Sequence, residues 1–371
     1  MSLARELKSQ APGCQIVYVG HKGDNIDTLK KKAEGFDFMV FIKAGKFRRY
    51  HGNNFLFHFI KLKTLLLNIR DFFRLPGSII ASYRILNRFK PDAVFSKGGF
   101  VAVPVSFAAR LKGIPIITHD SDTVPGLANR IIGRWAKVHT TGMPEEFYSY
   151  PRGTVRYVGI PIDEHIKKVT PKLQREAKRH LKIPESSPVL LVSGGGNGSK
   201  HLNDLMIAIA PSLLEANLAL HIIHLTGATH EQEVKEVYKD RLPRGERKRV
   251  RIAGFSPDFY ELASAADLVV GRAGATTLAE LSVAGKPCII IPSPFLAGGH
   301  QLKNAEQLQK AGAAVVLTEE TTPDELLAVI NELLNDDSRR WELAKNLYGT
   351  AKPDAAVRLA DIILQTAEGR A

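Results

Sequence analysis

Residues 271–280 read GRAGATTLAE, directly after the apolar run ADLVV and before LSVAGKPCIII. Small residues such as Gly274 and Ala275 let a ligand reach backbone amides, and Thr276 and Thr277 bring hydroxyls to a helix start. Glu280 lies one turn further on, and a carboxylate accepts one hydrogen bond on each oxygen, which suits the vicinal hydroxyls of a ribose. A second turn, SGGGNGSK at 193–200, follows the run PVLLV. There Gly195, Gly196 and Asn197 would bring backbone N–H groups and the positive end of a helix to a phosphate. The turn is neither of two familiar nucleotide motifs. A dinucleotide site needs an acid at the end of the next strand, which here ends HLTG, and a P-loop needs Ser or Thr after the lysine, where His201 stands. In GGHQLKNAEQL, His300, Gln301 and Asn304 offer neutral donors and acceptors suited to a sugar; in AGFSPDFYEL, Phe255 and Ser256 offer a ring and an amide that would hold a base. Two competing readings stand beside these: SGGGNGSK also fits a flexible strand-to-helix turn with no ligand, and Thr277-Leu-Ala-Glu280 also matches a capping box, a purely structural device.

The elements that must carry these turns are strands alternating with helices. QIVYVG, DFMVFIKAG, DAVFSKGG and IPIITHD fall in the first half; PVLLVSGG, ALHIIHLTG, RVRIAGFS, DLVVGRAG, PCIIIPS and AAVVLTE fall in the second. This spacing predicts an α/β fold of two Rossmann-like doubly wound domains. The expected divisions are 1–163, 164–350 and a C-terminal helix at 351–371 that crosses back to the first domain. MSLARELKSQ is an amphipathic helix that feeds a strand from Cys14 to Val19. A doubly wound domain ordinarily opens on a strand and a ligand-facing turn, so the reading expects these to be missing from the chain as given.

The chain has 371 residues, 44% hydrophobic and 24% charged, with a formal net charge of +13, so an anionic partner is implied. Cys14 and Cys288 sit in strand-like runs and form neither a disulfide framework nor a metal-ligand spacing. No secretory leader or bilayer-spanning run is evident, which limits any membrane contact to a peripheral one. Between Lys43 and Lys90, Phe55, Phe57, Phe59, Phe72 and Phe73 are interleaved with Lys61, Lys63 and many arginines, and Asp71 is the only acid. Such a segment suits the interface of an anionic bilayer; a core helix with a solvated basic face is the alternative. No nucleic-acid module is present.

Taken together, GGGNGSKHLN, AGFSPDFYELASAADLVVGRAGATTLAE, LSVAGKPCIIIPSP and HQLKNAEQL in the second half, with RFKPDAVFSKGGFVAVPVSFAARLKGIPIITHD, TVPGLANRI and YVGIPI in the first, make the chain resemble the inverting nucleotide-sugar glycosyltransferases of the MurG type. That likeness implies a GT-B arrangement, two domains facing across a cleft, and transfer of N-acetylglucosamine from its UDP derivative to a polyprenyl-diphosphate-linked muramyl-pentapeptide. It implies no cofactor and no essential metal, and a peripheral position on the cytoplasmic face of the membrane. By the same likeness Ser256 and Phe255 receive the uracil, Glu280 the ribose, Ala275 to Thr277 the diphosphate, with Gly274 beside them in the donor site, and Gln301, His300 and Asn304 the sugar. The acceptor falls to Gly98, Gly99, Asp122 and Asn129, with His119 and Asp122 as catalytic candidates; an oriented structural role is the other reading of His119.

Four departures are visible. Gly196-Asn197 stands where the family has Ser-Gln, Asp163 where it has Arg, and Asp122 where it has Asn; its opening GGTGGH-like loop is not in the chain. Asp120-Ser121-Asp122 has the spacing that binds a metal diphosphate in another glycosyltransferase fold, but it follows a parallel strand in a family that needs none. Arg272, eight positions before Glu280, occupies the place of a second Glu common in retaining enzymes, which favours inversion. Two rival readings are a diacylglycerol glycosyltransferase of the same fold and an inactive, membrane-binding remnant.

Overall fold

The computed structural model describes residues 2–24, 35–45, 69–71, 73–295 and 299–369. Phe55, Phe57, Phe59, Lys61, Lys63 and Phe72 lie outside the described residues. The chain divides into two compact units, Met1–Asp163 with Pro353–Ala371, and Glu164–Lys352.

The first unit begins with helix α1 (Ser2–Gln10), whose buried Ala4 and Leu7 lie on one stripe. Strand β1 (Val17–His21) pairs in parallel with β2 (Phe38–Ile42). The strand expected from Cys14 thus starts at Val17, because the Ile16 N–H is taken by the Asp37 carboxylate at 2.7 Å rather than by a ladder. Helix α2 (Leu75–Phe89) buries Ser78, Ser82 and Leu86, spaced every fourth residue, and packs on α3 (Ala102–Leu111). Strands β3 (Val94–Ser96), β4 (Ile116–Asp120), β5 (Val138–Thr141) and β6 (Val155–Tyr157) form a second parallel sheet in that order, with α4 (Leu127–Ile132) after β4.

The second unit starts with α5 (Pro171–His180) and β7 (Val189–Ser193). There follow α6 (Lys200–Ala216), β8 (His221–Leu225), α7 (Glu231–Arg241), the single turn α8 (Arg244–Arg247) and β9 (Val250–Ala253). The chain then passes through α9 (Phe259–Ala265), β10 (Leu268–Gly271), α10 (Ala275–Ala284), β11 (Cys288–Ile290), α11 (His300–Lys310) and β12 (Val315–Val316). It closes with α12 (Pro323–Asn335) and α13 (Asp337–Gly349). Helix α14 (Ala355–Ala367) belongs to the first unit, where it packs on α1 and buries Leu359 and Ile363 beside Leu7, Ile117 and Val138.

All strands of the six-stranded sheet are parallel, in the order β12-β11-β10-β7-β8-β9. Both faces are covered, so its central strands are apolar throughout: Val189 to Val192 and Leu268 to Val270 are essentially inaccessible. The chain runs outward from β7 to β9, returns to β10 beside β7, and runs outward again to β12. The β7–β10 boundary is therefore a topological switch point, where ligands of open α/β sheets bind beyond the carboxyl ends of the strands.

Asp267 fixes the amino ends of that strand pair. Its Oδ2 accepts from Val189 N and from Lys178 Nζ, each at 2.8 Å, and its Oδ1 accepts from Gln174 Nε2 at 2.8 Å. Nearby, Lys286 is buried and donates from Nζ to Ser264 O and Ala266 O at 2.8 Å, closing the last turn of α9. Burial pushes the Lys286 ammonium down to about 7. Its folded-state value thus lies below that of the unfolded chain, so between about pH 7 and the ordinary lysine range the unfolded state binds more protons and stability rises with pH. The stability difference between the wild type and Lys286→Met, measured by urea unfolding, is accordingly expected to shift in favour of the wild type as pH rises from 7 to about 10. A pH-independent difference would show that this lysine is charged throughout.

Candidate functional site

In the parallel register Ser193 stands opposite both Gly271 and Leu225, Gly271 opposite Ile290, and Leu225 opposite Ala253. The turns that follow β7, β8, β9, β10 and β11 therefore leave from one edge of one sheet. The structure brings together at that edge Gly195, Gly196, Asn197, Phe255, Ser256, Gly274, Ala275, Thr276, Thr277, Glu280, His300, Gln301 and Asn304.

The glycine turn after β7 is shaped by contact as well as by flexibility. Gly198 has φ +73°, and a Cβ there would lie 2.1 Å from Thr226 O in the next turn. Only glycine fits. Gly195 is also left-handed, with φ +84°, and a Cβ there would meet open space, so its side faces outward. Ser199 caps α6, accepting from Leu202 N at 3.3 Å.

Arg272 ties this turn to the one after β10. Its Nε and Nη2 donate to Ser199 Oγ at 2.9 and 2.6 Å, and its Nη1 donates to Ile291 O at 2.9 Å. The same guanidinium makes a fork with Glu319, at 2.5 Å from Nη1 to Oε2 and 3.2 Å from Nη2 to Oε1. Arg272 is 8% exposed and Glu319 16%. One planar cation thus fixes the ends of β7, β10 and β11 and the segment after β12 relative to one another. Sequence reasoning gave Arg272 no such role: Glu319 is 47 residues away in sequence and shares no spacing rule with it.

The capping-box reading of Thr277 and Glu280 is corrected by the geometry. Helix α10 starts at Ala275 with Gly274 as its N-cap, and no side chain caps it. Thr277 is already inside the helix, so the first amides of α10 carry no side-chain cap. The capping box of this unit is at α12, where Thr322 and Glu325 bond reciprocally.

Phe255 is 60% exposed at the end of β9, and Ser256 Oγ accepts from Asp258 N at 3.2 Å. Gln301 and Asn304, in the first turns of α11, are buried, and part of each amide serves the scaffold. Gln301 Oε1 accepts from Ser293 N at 2.9 Å, and Asn304 Nδ2 donates to Ala273 O at 3.1 Å, bracing the turn after β10.

In the first unit the corresponding edge holds Gly98, Gly99, His119, Asp122 and Asn129. Gly98 has φ +83°, packs against the Asn129 amide, and donates from N to Ser96 Oγ at 3.1 Å. Asn129 is fully buried: its Nδ2 donates to His119 O and Asp120 Oδ1, and its Oδ1 accepts from Ser96 Oγ. The direct acceptor contact expected of Asn129 is therefore corrected to a bracing role, since its amide has no exposed surface. Asp120 is spent in the same network, accepting from Tyr150 OH at 2.7 Å as well as from Asn129, and burial raises it above the usual carboxylate range. The nearby Asp122 carboxylate adds to this rise.

His119 is buried, and its Nδ1 lies 3.1 Å from Thr140 Oγ1, which itself donates to Thr118 O. That assigns the proton to Nδ1 and leaves Nε2, which has no hydrogen-bond partner among the described residues, as an acceptor. Burial, helped by the Lys97 cation, pushes the imidazole down to about 3. A ring so reluctant to take a proton fits the oriented, neutral role better than that of a base. Asp122 lies just beyond β4, where its backbone carbonyl accepts from Tyr148 OH at 2.9 Å.

The chain matches the glycosyltransferase family 28 N-terminal domain over residues 1–140 and its C-terminal domain over residues 189–359. It is 34% identical over 374 residues to a protein of Halothermothrix orenii named UDP-N-acetylglucosamine–N-acetylmuramyl-(pentapeptide) pyrophosphoryl-undecaprenol N-acetylglucosamine transferase, covering 100% of this chain and 95% of that one. The chain belongs to glycosyltransferase family 28. A second family 28 relative of the same name, from an Anaeromyxobacter species, is also 34% identical, over 382 residues that cover 100% of this chain and 90% of that protein. Among solved structures, Acinetobacter baumannii MurG superposes with a TM-score of 0.69 at 24% identity, covering 98% and 94% of the two chains. A UDP-GlcNAc 2-epimerase from Neisseria meningitidis bound to UDP-GlcNAc reaches 0.66 at 14% identity, covering 99% and 95%. These two likenesses concern the fold, and they agree with the two-domain α/β reading.

In this family 28 chain the Arg272–Glu319 fork is expected to behave as one unit. Arg272→Met leaves a buried carboxylate alone, a change that costs about 3–5 kcal/mol in comparable pairs. Glu319→Gln removes the opposite partner. Chemical denaturation of the two single variants and the double variant is expected to show a coupling of at least ~1 kcal/mol; strictly additive losses would mean that the fork does not organise the turns.

Proposed function

We propose that this chain transfers N-acetylglucosamine from UDP-N-acetylglucosamine to the C4 hydroxyl of a muramyl-pentapeptide carried on polyprenyl diphosphate, with inversion at the anomeric carbon. The observation that carries this reading is the start of α10 at the switch point, uncapped by any side chain, with Glu280 one turn inside and the glycine turn braced beside it by Arg272. The family relatives of the same name, matched over essentially the whole chain, support the choice of donor and acceptor.

On this reading the uracil lies against Phe255 and the Ser256 backbone, and the ribose hydroxyls are held by Glu280. The amides of Ala275 to Thr277, with the threonine hydroxyls, face the diphosphate; Gln301, His300 and Asn304 face the sugar. As the C4 hydroxyl attacks, the bond to the diphosphate breaks, and the negative charge that develops on the leaving oxygen meets the positive end of α10 and the preorganised amides. Orientation of the two sugars supplies most of the remaining gain. The acceptor binds to the first unit at Gly98 and Gly99, where Asp122 takes the hydroxyl proton and His119 acts as a neutral, oriented ring behind the site.

The membrane reading rests on the exposed side chains of α2 and α3. Phe73, Ile80 and Leu111 are 75%, 53% and 62% exposed, and Tyr83 sits under the Lys112 ammonium at 4.8 Å. Arg74, Arg84 and Arg88 share the α2 segment with these apolar groups. Among the described residues no helix is long and apolar enough to cross a membrane, so we assign this surface to peripheral contact with anionic lipid.

Two experiments test the proposal. Glu280→Gln is expected to weaken UDP binding by roughly 10- to 100-fold, the worth of hydrogen bonds to a charged group, and Asp122→Ala to lower kcat while leaving the donor KM nearly unchanged. Both are read in a transfer assay with a lipid-linked muramyl-pentapeptide analogue; transfer to diacylglycerol alone, or UDP binding without transfer, would overturn the assignment. In parallel, Ile80→Glu with Leu111→Glu is expected to release the protein from phosphatidylglycerol vesicles while UDP binding persists. Undiminished vesicle binding would move the membrane contact elsewhere.

A further inference from the structure

A groove of about 310 Å³ lies at the amino ends of β7, β8 and β9, the edge of the sheet opposite the turns described above. Its floor is apolar, with Ile183 and Ile223, and its walls carry Lys182, His221, Lys248, Arg249 and Arg251. No carboxylate lines it. Two acids reach its wall from outside: Glu261 lies 3.2 Å from His180, which also lines the groove, and Glu246 lies 4.0 Å from Arg249. Arg249 spends its donors on Leu214 O, Asn217 O and Leu220 O at the end of α6, so its charge is fixed in the wall, with Glu246 no nearer than the 4.0 Å limit of an ion pair. Val250 and Ile252 pack on the opposite face of the sheet, which by strand alternation turns the exposed Arg251 toward the groove. The positive field is felt locally, since Arg249 and Lys178 add to burial in holding the His221 imidazole below its ordinary value.

Like charges gathered in a concave site repel one another until an anion enters, and low-dielectric walls focus that attraction. We propose that this groove is a second anion site, which takes phosphate groups bearing two or more negative charges, supplied either by a lipid headgroup or by a free diphosphate. Lys248 and Arg251 contact the phosphate oxygens, His221 donates one hydrogen bond as a neutral ring, and Arg249 supplies a fixed charge. The site is independent of the switch-point turns and of the reaction proposed for them.

The test is titration of the full chain with inorganic pyrophosphate at low salt, followed by backbone-amide NMR. Saturable shifts at Lys182, His221 and Arg251 are expected, separate from any at 194–199. Lys248→Glu with Arg251→Glu is expected to weaken binding by at least about tenfold, while Lys239→Glu with Lys345→Glu, the same charge change elsewhere on the unit, has less than about a twofold effect. Equal losses in both double variants, or shifts confined to 194–199, would overturn the proposal. The neutral pair Lys248→Gln with Arg251→Gln, expected to give an intermediate loss, guards against misfolding of the charge-reversed protein. Co-sedimentation with vesicles containing phosphatidic acid, whose phosphomonoester can carry two charges, then separates the sources: retention that falls with Lys248→Glu and Arg251→Glu identifies a lipid headgroup, and unchanged retention beside lost pyrophosphate binding identifies a free phosphate.

Discussion

The pairing of β7 with β10 is the constraint on which the second unit depends. Two strands separated by more than 70 residues must lie side by side, in parallel and in one register. The protein enforces this at both ends: Asp267 binds Val189 N at the amino ends, and Arg272 binds Ser199 and Ile291 at the carboxyl ends. Between these clamps the strands are wholly apolar and interchangeable by hydrophobicity alone. A one-residue slip would cost little in burial but would move the glycine turn relative to α10 by more than 3 Å, roughly one residue of strand rise. The polar contacts at the ends therefore specify what the core does not, which is the use of buried ionic groups that stability arguments alone fail to explain.

The helix starts of this unit are of more than one kind. Helices α5, α12 and α13 are capped by their own Thr170, Thr322 and Asp336 side chains. Helices α10 and α11 begin instead at Gly274 and Gly299 with no side-chain cap. A capped helix has satisfied one of its free amides; a glycine-started one keeps it for something else. Glycine in place of a capping side chain costs only about a few tenths of a kcal/mol; α7, α8 and α9 also start without a side-chain cap, and α10 and α11 are the two that start on glycine, after β10 and β11 at the switch point. Helix α6 is intermediate. Ser199 caps it and is held by Arg272, so its hydroxyl is committed twice; Gly195 N and Gly198 N donate within the turn, to Ser193 Oγ and Gly195 O, which narrows its ligand-facing amides to those of Gly196 and Asn197.

Much of this architecture could be read from residue order. Runs such as PVLLV and ADLVV are too continuous in apolar character for half-exposed strands, and their regular alternation with helices implied parallel sheets. What escaped were the short strands β5 and β6, whose residues VHTT and VRY are too few and too polar to stand out. Thr277-x-x-Glu280 and Thr322-x-x-Glu325 are the same four-residue pattern, yet only the second is a capping box. The difference lies just outside the pattern: Pro323 favours the first helical position at α12, whereas Gly274 already begins α10 three residues before Thr277. Asn129 and Arg272 show a second limit. Both are polar residues beside ligand-type turns, and both are consumed by partners that only the folded chain brings near.

That consumption also bears on the chemistry proposed for the first unit. Near β4, Asp120 is held by Asn129 and Tyr150 and is raised by burial, and His119 is held neutral. Neither is poised to remove a proton from a sugar hydroxyl, whose acidity is so weak that an early, strong base would gain little in any case. An inverting displacement can run with modest base assistance if the departing diphosphate is well stabilised, because bond breaking then leads and the hydroxyl becomes acidic only as it bonds to the anomeric carbon. The investment seen in the second unit, two uncapped helix starts and a braced glycine turn, matches that demand. On the proposed reading, the electrostatic work falls mainly to the leaving-group side.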